Sequence, residues 1–237
     1  FGSGKIIVFP MASSEPVETG ANLVAEFERL GARRAESHLL TREQALAGKS
    51  DRILDGAGGV FFSEGDQSRQ MAVLLGTPLH RALVELYQAG CVMAGTSAGA
   101  AVMSEVMITG EETRKVEEGH EFETLEAGNI ITAEGLGFIK TAVIDQHFVA
   151  RKRHNRLISV IAERPHLLGI GIDEETAIIV GPDEKFEVLG NRNVVVYDAS
   201  PASITITPAK AIRLRGMIMH VLGDGDRFDL RKRQAVR

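Results

Sequence analysis

Residues 91–99 constrain the fold more than any other part of the sequence. An apolar run at residues 91–94 ends in Gly95-Thr96-Ser97-Ala98-Gly99, so that a serine has a glycine two positions away on each side. Glycines at this spacing permit the close backbone approach of a nucleophile elbow, where a strand turns sharply into a helix and exposes the serine hydroxyl. The pattern predicts a strand, a turn and a helix of an α/β protein, with Ser97 placed for nucleophilic attack.

The helix predicted to begin at Ala98 has a consequence for chemistry. Its first backbone N–H groups, and the positive end of its dipole, would face the position where an oxyanion forms. In the alternative interpretation, Ser97 only caps the helix, as serine commonly does in strand-to-helix turns.

Apolar strand patterns alternate with amphipathic helix patterns along the chain. Strands are predicted at residues 5–9, 59–62, 91–94, 142–144, 177–180, 185–189 and 194–197, and helices at residues 16–30, 79–89 and 153–162. This alternation predicts right-handed crossovers and a mainly parallel sheet with helices on both faces. Ligands of such sheets bind beyond the carboxyl ends of the strands. The Glu-rich residues 111–126 show little apolar periodicity and are predicted to form a solvated loop or hairpin.

The composition fits one globular domain, and with no repeat or linker in the sequence a single α/β domain is predicted over residues 1–237. The chain is 44% hydrophobic and 25% charged, and its formal net charge of -5 argues against nucleic acid as a partner. No apolar run reaches the roughly 20 residues that span a bilayer, and no signal segment opens the chain, so we expect no membrane partner and a cytoplasmic location. Residues 1–4 run straight into a strand, which suggests a trimmed chain.

Metal and cofactor chemistry is not expected. The single cysteine excludes an internal disulfide and a cysteine-rich zinc site, and no two histidines have ligand spacing on a predicted helix.

An attacking serine needs a base, and the base needs an acid that orients it. His147 is the preferred base among seven histidines, because it follows the predicted strand at residues 142–144. Residues 170–172 form another apolar run and end in three acids, Asp173, Glu174 and Glu175. Glu174 is preferred as the orienting acid, but spacing alone leaves Asp173 and Glu175 open.

Four motifs in consistent order carry a family resemblance. They are Phe61-Phe62-Ser63-Glu64-Gly65-Asp66-Gln67, Gly95-Thr96-Ser97-Ala98-Gly99-Ala100, Asp145-Gln146-His147-Phe148 and Gly171-Ile172-Asp173-Glu174, followed after His147 by three arginines. Together they resemble the cyanophycinases, serine peptidases related to aspartyl dipeptidase. The resemblance implies a three-layer, flavodoxin-like fold of the class I glutamine amidotransferase type, with a serine in place of the amidotransferase cysteine.

The resemblance also implies site residues. Ser97 would be the nucleophile, His147 the general base and then acid, and Glu174 its orienting group, while the backbone N–H groups of Gly65 and Ala98 would form the oxyanion hole. The implied substrate pocket is lined by Gln67, Asp145, Gln146, Arg151, Arg153 and Arg156. The order serine, histidine, glutamate differs from that of α/β-hydrolases, which argues against a lipase.

Cyanophycin is a polyaspartate that carries arginine on each β-carboxyl, and the implied reaction releases β-aspartyl-arginine dipeptides. Guanidinium groups bind carboxylates bidentately, which suits the arginines that follow His147, although these arginines also fit the wet face of a helix. The chain departs from the family at Glu64, where relatives usually have glycine. A side chain there is harmless if it faces solvent, or it narrows the site.

Two further hypotheses remain open. One is a serine dipeptidase that acts on short acidic peptides with an N-terminal aspartate. The other, from a different class, is a catalytically silent homologue that binds a peptide. A homodimer is expected from the resemblance alone.

Overall fold

The computed structural model describes residues 4–48, 50–117 and 119–236. Contacts between Cα atoms group the chain into two compact units. The first unit comprises Phe1–Glu105 and Glu134–Phe138, and the second comprises Val106–Ala133 and Ile139–Arg237. The organisation as one domain stays a prediction, and the predicted start of the chain at residues 1–3 lies outside the described residues.

The first unit is an alternation of strands and helices. Its elements are β1 (Lys5–Phe9), α1 (Pro16–Arg29), β2 (Ala35–Ser37), α2 (Arg42–Leu46), a 3₁₀ helix (Ser50–Leu54), β3 (Ala57–Phe62), α3 (Gln67–Leu74), α4 (Pro78–Gln88), β4 (Val92–Gly95) and α5 (Ala98–Ala101). The four strands are all parallel and lie in the order β2-β1-β3-β4. Flavodoxin-like sheets have this order, so the predicted α/β fold with a parallel sheet is confirmed.

Helices cover both faces of this sheet because side chains alternate along its strands. Ile6 and Val8 of β1 pack with Phe27 of α1 on one face. On the other face, Phe62 of β3 stacks on Phe9 and lies 6.4 Å from Phe138, whose ring centroid is 5.0 Å from that of Tyr87 in α4. The helix α1 begins where the sequence predicts, with a proline in its first turn. It ends at Arg29, and Gly31 follows two residues later with a positive φ of 95°.

The remaining elements are mainly strands. They are β5 (Val106–Glu112), β6 (Ile130–Glu134), β7 (Ala142–Gln146), α6 (His154–Glu163), β8 (Leu168–Ile172), β9 (Thr176–Val180), β10 (Lys185–Gly190), β11 (Val194–Asp198), β12 (Ser203–Ile206), β13 (Ile212–Arg215), β14 (Ile218–Leu222), β15 (Arg227–Asp229) and β16 (Gln234–Val236). The parallel pair β7 and β8 continues through the antiparallel strands β11 and β14. The predicted C-terminal strands are confirmed as β9, β10 and β11.

The crossover from β7 through α6 to β8 forms the core of the second unit. Every residue of β7 and β8 is buried, as expected for parallel strands covered on both faces. Leu157 of α6 lies so close to Gly169 that a Cβ there would be 2.9 Å from its Cγ. This packing fixes the carboxyl ends of β7 and β8, from which the functional residues of this unit follow.

Candidate active site

Ser97 occupies a strained turn between β4 and α5. Its backbone has φ 51° and ψ -110°, a region that residues with a side chain rarely adopt. A Cβ at Gly95 would lie 2.4 Å from the carbonyl oxygen of Gly99, and a Cβ at Gly99 would lie 2.1 Å from that of Phe62. Both glycines are therefore required for the turn, which has the geometry of a nucleophile elbow.

The alternative reading of Ser97 as a helix cap does not fit the structure. The side chain of Ser97 makes no capping hydrogen bond to α5. The helix begins at Ala98 as predicted, but it has only four residues, so an argument from the helix dipole does not apply. What this turn offers instead is the N–H group of Ala98, which stands at the first helical position and has no intrahelical acceptor.

Gly65 lies in the loop between β3 and α3. Its φ of +130° suits glycine, and a Cβ would lie 2.1 Å from the carbonyl oxygen of Ala12. The neighbouring Asp66 N–H donates to that oxygen at 2.8 Å, and the Asp66 carboxylate caps α3 by accepting from Ser68 N–H. Close backbone packing thus fixes the loop that carries the second predicted oxyanion donor, while the side chain of Glu64 is exposed.

His147 and Glu174 are brought together at the carboxyl ends of β7 and β8. Gln146 pairs with Ile172 in the parallel register, so the two chains leave the sheet side by side. The Nδ1 atom of His147 lies 3.0 Å from Oε1 of Glu174. His147 also has a positive φ of 48°, directly after the end of β7. The arrangement can orient an imidazole whose other nitrogen handles a proton.

The other two acids have different partners. Asp173 is buried, and its Oδ1 accepts from Ala150 N–H at 3.0 Å while its Oδ2 lies 3.7 Å from Arg192. Glu175 is exposed and contacts Asn191. Of the three acids, the geometry pairs Glu174 with His147, and Asp173 supports the turn that follows His147.

Asp145 and Arg156 were expected to line a pocket, and the structure gives them another place. Arg156 Nε donates to Asp145 Oδ2 at 2.7 Å, and a second bond joins Arg156 Nη2 to Asp145 Oδ1. Their side chains are 2% and 1% exposed. The two residues therefore form a buried bidentate ion pair between α6 and β7, because α6 packs directly on the sheet that contains its preceding strand.

Arg153 sits beside this pair with its charge only partly balanced. Its Nη1 donates to the main-chain and side-chain oxygens of Gln146 and lies 3.9 Å from Asp145 Oδ1. Burial, reinforced by the positive charge of Arg156, lowers the pKa of Arg153 to about 10. Two guanidinium groups share one carboxylate here, so the cluster carries a positive charge that suits an anionic ligand.

The last two predicted pocket residues lie in different surroundings. Arg151 precedes α6 and is exposed, in a turn whose N–H groups donate back to the carbonyls of His147 and Phe148. Gln67 is buried at the first position of α3, directly after the loop of Gly65.

Sequence reasoning did not assign a role to Gly171. A Cβ at Gly171 would lie 2.2 Å from the ring of Phe148, the residue after His147. The missing side chain in β8 makes room for that ring, which also contacts His154 and Tyr197 edge-on. A glycine inside an apolar strand is a signal for such close approach, and Gly171 carries that signal in the sequence.

Among the described residues, no group of three or more His, Cys, Asp or Glu side chains is placed to hold a metal ion. No helix in the same part of the chain is long and apolar enough to cross a membrane.

The sequence is similar to those of known peptidases. The family described as peptidase family S51 matches residues 2–188. The chain is similar to the cyanophycinase of Nostoc sp., with 36% identity over 237 residues that cover 98% of this chain and 77% of the relative. It is similar to the cyanophycinase of Geminocystis herdmanii at 33% identity over 239 residues, which cover 98% of this chain and 84% of the relative.

Two solved structures share the fold. The crystal structure of a peptidase from an acI-B1 Actinobacterium matches with a TM-score of 0.66 and 24% identity, covering 95% of this chain and 83% of the other. A putative peptidase E protein from Listeria monocytogenes matches with a TM-score of 0.52 and 17% identity, covering 79% of this chain and 86% of the other.

Proposed function

Because the chain belongs to peptidase family S51, we propose that it hydrolyses cyanophycin to β-aspartyl-arginine dipeptides through an acyl-enzyme on Ser97. The substrate follows from relatives named cyanophycinase, which match almost the whole chain at 33% to 36% identity. The observation that carries the catalytic part is the 3.0 Å contact between His147 Nδ1 and Glu174 Oε1. That contact supports a base held in the tautomer that accepts a proton at Nε2.

The proposed reaction begins with attack of Ser97 Oγ on a backbone carbonyl carbon of the polyaspartate chain. His147 accepts the serine proton, and the backbone N–H groups of Gly65 and Ala98 stabilise the oxyanion of the tetrahedral intermediate. The intermediate collapses when His147 gives its proton to the departing amine. Water, activated by His147, then hydrolyses the ester and regenerates Ser97. Glu174 orients the imidazole and stabilises its charged form throughout.

Recognition of the substrate draws on the charges near His147. Each repeat of cyanophycin bears the free carboxylate and the guanidinium of one arginine. We assign the carboxylate to Arg153 and Arg151, since guanidinium groups bind carboxylates in a fork. Gln146 and Gln67 supply amide groups for the backbone or the guanidinium. Asp145 and Arg156, buried against each other, support this surface instead of touching the substrate.

The test is hydrolysis of insoluble cyanophycin by the purified protein, with the products identified by mass spectrometry and a Ser97→Ala variant beside it. We expect β-aspartyl-arginine from the wild type only. A folded wild type that cleaves only short aspartyl dipeptides would favour the dipeptidase. A protein that cleaves neither substrate would be a silent, peptide-binding homologue.

The homodimer and the cytoplasmic location stay predictions. Several apolar side chains of β14 are exposed, among them Met219 at 57% and Val221 at 55%, and an apolar surface of this kind supports self-association. Light scattering of the purified protein would measure the mass of the assembly in solution.

A further inference from the structure

The segment between β5 and β6 contains an aromatic residue that the solvated-loop prediction does not explain. Phe122 adopts a left-handed conformation with φ 62°, which is unusual for a bulky residue. Its side chain packs against a buried cluster of the second unit that includes Phe148 and Tyr197. Part of this charged segment therefore belongs to the core beneath the turn of His147.

Hydrogen bonds hold Phe122 in this position. Glu112, the last residue of β5, accepts from Phe122 N–H at 2.8 Å and from Asn129 Nδ2 at 2.6 Å, so one carboxylate binds both the middle of the segment and its last residue. Asn155 of α6 donates to the carbonyl oxygen of Glu123 at 3.1 Å. These bonds compensate for the strained backbone and determine where the Phe122 ring lies.

The ring covers the buried ion pair. The Arg156 Cζ atom lies 4.8 Å from the centroid of the Phe122 ring, within the range of a cation–π contact. The same guanidinium makes the bidentate contact with Asp145 through its Nε and Nη2 atoms. Asp145 Oδ1 also accepts from Gln146 N–H at 2.8 Å, directly before His147. A continuous set of contacts thus leads from Phe122 to the backbone that carries the proposed base.

We propose that Phe122 is a positioning residue for His147 and its neighbours Gln146 and Arg153, and that it acts through the ion pair of Arg156 and Asp145. The face of an aromatic ring attracts a guanidinium and also keeps water away from the guanidinium. Exclusion of water strengthens the charge-assisted hydrogen bonds between Arg156 and Asp145. Without the ring, water reaches Arg156 and competes for its donors. The Asp145 carboxylate then holds Gln146 N–H less firmly, and the turn that begins at His147 loses its fixed orientation. This inference rests on the proposed function.

The test compares four variants. Phe122→Ala removes the ring, Phe122→Leu keeps apolar bulk without an aromatic face, and Phe122→Tyr keeps the face. Val116→Ala is the matched control, since Val116 lines the same surface cavity of about 460 Å³ as Phe122 and is 42% exposed. The kinetic readout is kcat and KM on soluble cyanophycin oligomers. The second readout is the exchange rate of the Gln146 amide hydrogen by NMR, which requires no activity.

We expect kcat/KM to fall about tenfold in Phe122→Ala and Phe122→Leu, with a raised KM as well as a lowered kcat, because misplaced groups weaken both binding and reaction. The Gln146 amide should exchange faster in the same two variants. Phe122→Tyr and Val116→Ala should match the wild type in both measurements.

A loss of thermal stability in Phe122→Ala with unchanged KM and unchanged Gln146 exchange would overturn the proposal, because a structural role alone changes only the amount of folded protein. Wild-type behaviour of Phe122→Leu would also overturn it. If the wild type releases no β-aspartyl-arginine, the proposed function fails by itself. In that case the exchange rates still decide whether Phe122 holds the ion pair in place.

Discussion

Ser97 and His147 each come after the end of a strand, and each has a positive φ. Different contacts fix the backbone at the two residues. At Ser97 the constraint is backbone against backbone, since Gly95 approaches the carbonyl oxygen of Gly99 in α5 and Gly99 approaches that of Phe62 in β3. At His147 the constraint comes from side chains: the ring of Phe148, the carboxylate of Asp173 and the pair beneath Gln146. The comparison teaches that the glycines that fix a nucleophile are visible in a sequence, whereas the packing that fixes a base is much less so.

The largest expected effect is at Ser97 itself. Ser97→Ala should lower kcat by about 10³- to 10⁶-fold, because removal of a triad nucleophile leaves only binding and oxyanion stabilisation. Release of β-aspartyl-arginine measures the loss, with Ser203→Ala in the exposed strand β12 as the control. Activity retained by Ser97→Ala would remove Ser97 from the mechanism and leave the turn as a purely structural feature.

The orienting acid comes next. Glu174→Gln should lower kcat by about 10²- to 10⁴-fold, because an amide no longer fixes the tautomer of His147 or stabilises its charge. Glu175→Gln is the matched control, since Glu175 is adjacent, exposed and bonded only to Asn191 within the described residues. A greater loss from Glu175→Gln than from Glu174→Gln would show that the pairing with His147 is not the catalytic one.

The two kinds of constraint can be compared directly through two glycines. Gly99→Ala places a Cβ against a backbone oxygen and should destabilise the fold by about 3 kcal/mol, whereas Gly171→Ala meets a side chain and should cost about 1–2 kcal/mol. Urea unfolding gives both values, and Gly223→Ala, which has room for a Cβ, is the control.

A second change sharpens this comparison. Adding Phe148→Leu to Gly171→Ala should recover part of the lost stability, because a smaller side chain leaves space for the new methyl group. No second side-chain change should rescue Gly99→Ala in the same way. Equal costs for the two glycines, with no rescue, would mean that both turns are held by the backbone.

The smallest expected effect concerns Arg153, whose charge is only partly balanced by Asp145. Arg153→Gln should raise KM by about tenfold with a smaller change in kcat, since a charge-assisted bond to the substrate carboxylate is lost. Arg213→Gln, at an exposed position of β13, serves as the control. A fall in kcat with an unchanged KM would mean that Arg153 orients His147 instead of binding substrate.

Much of the fold could be predicted because periodicity and turn residues agree along the first 100 residues. The bounds of β1 and the start of α1 follow from an apolar run and a proline, and both match the structure. By contrast, β2 has only three residues, too few to show a period, and the strands from β12 to β16 have only three to five residues each, so any alternation in them is short.

The site was predictable where strand ends determine it and not where packing does. Placing His147 and Glu174 after neighbouring strands required only the order of apolar runs. The pairing of Asp145 with Arg156 depends on which face of β7 receives α6, and both faces of β7 are buried, so no alternation of polar residues reveals it. Asp145 therefore has the same local sequence signal as a pocket residue.

The strained backbone of Ser97 also bears on how heat-resistant variants of this enzyme are selected. A left-handed residue with a side chain stores about 1–3 kcal/mol, and glycine at that position releases it. A screen that rewards survival at high temperature therefore favours replacement of the very residue that performs the proposed attack. Selection for durability and selection for turnover oppose each other at Ser97, so any thermostability campaign has to include turnover as a criterion from its first round.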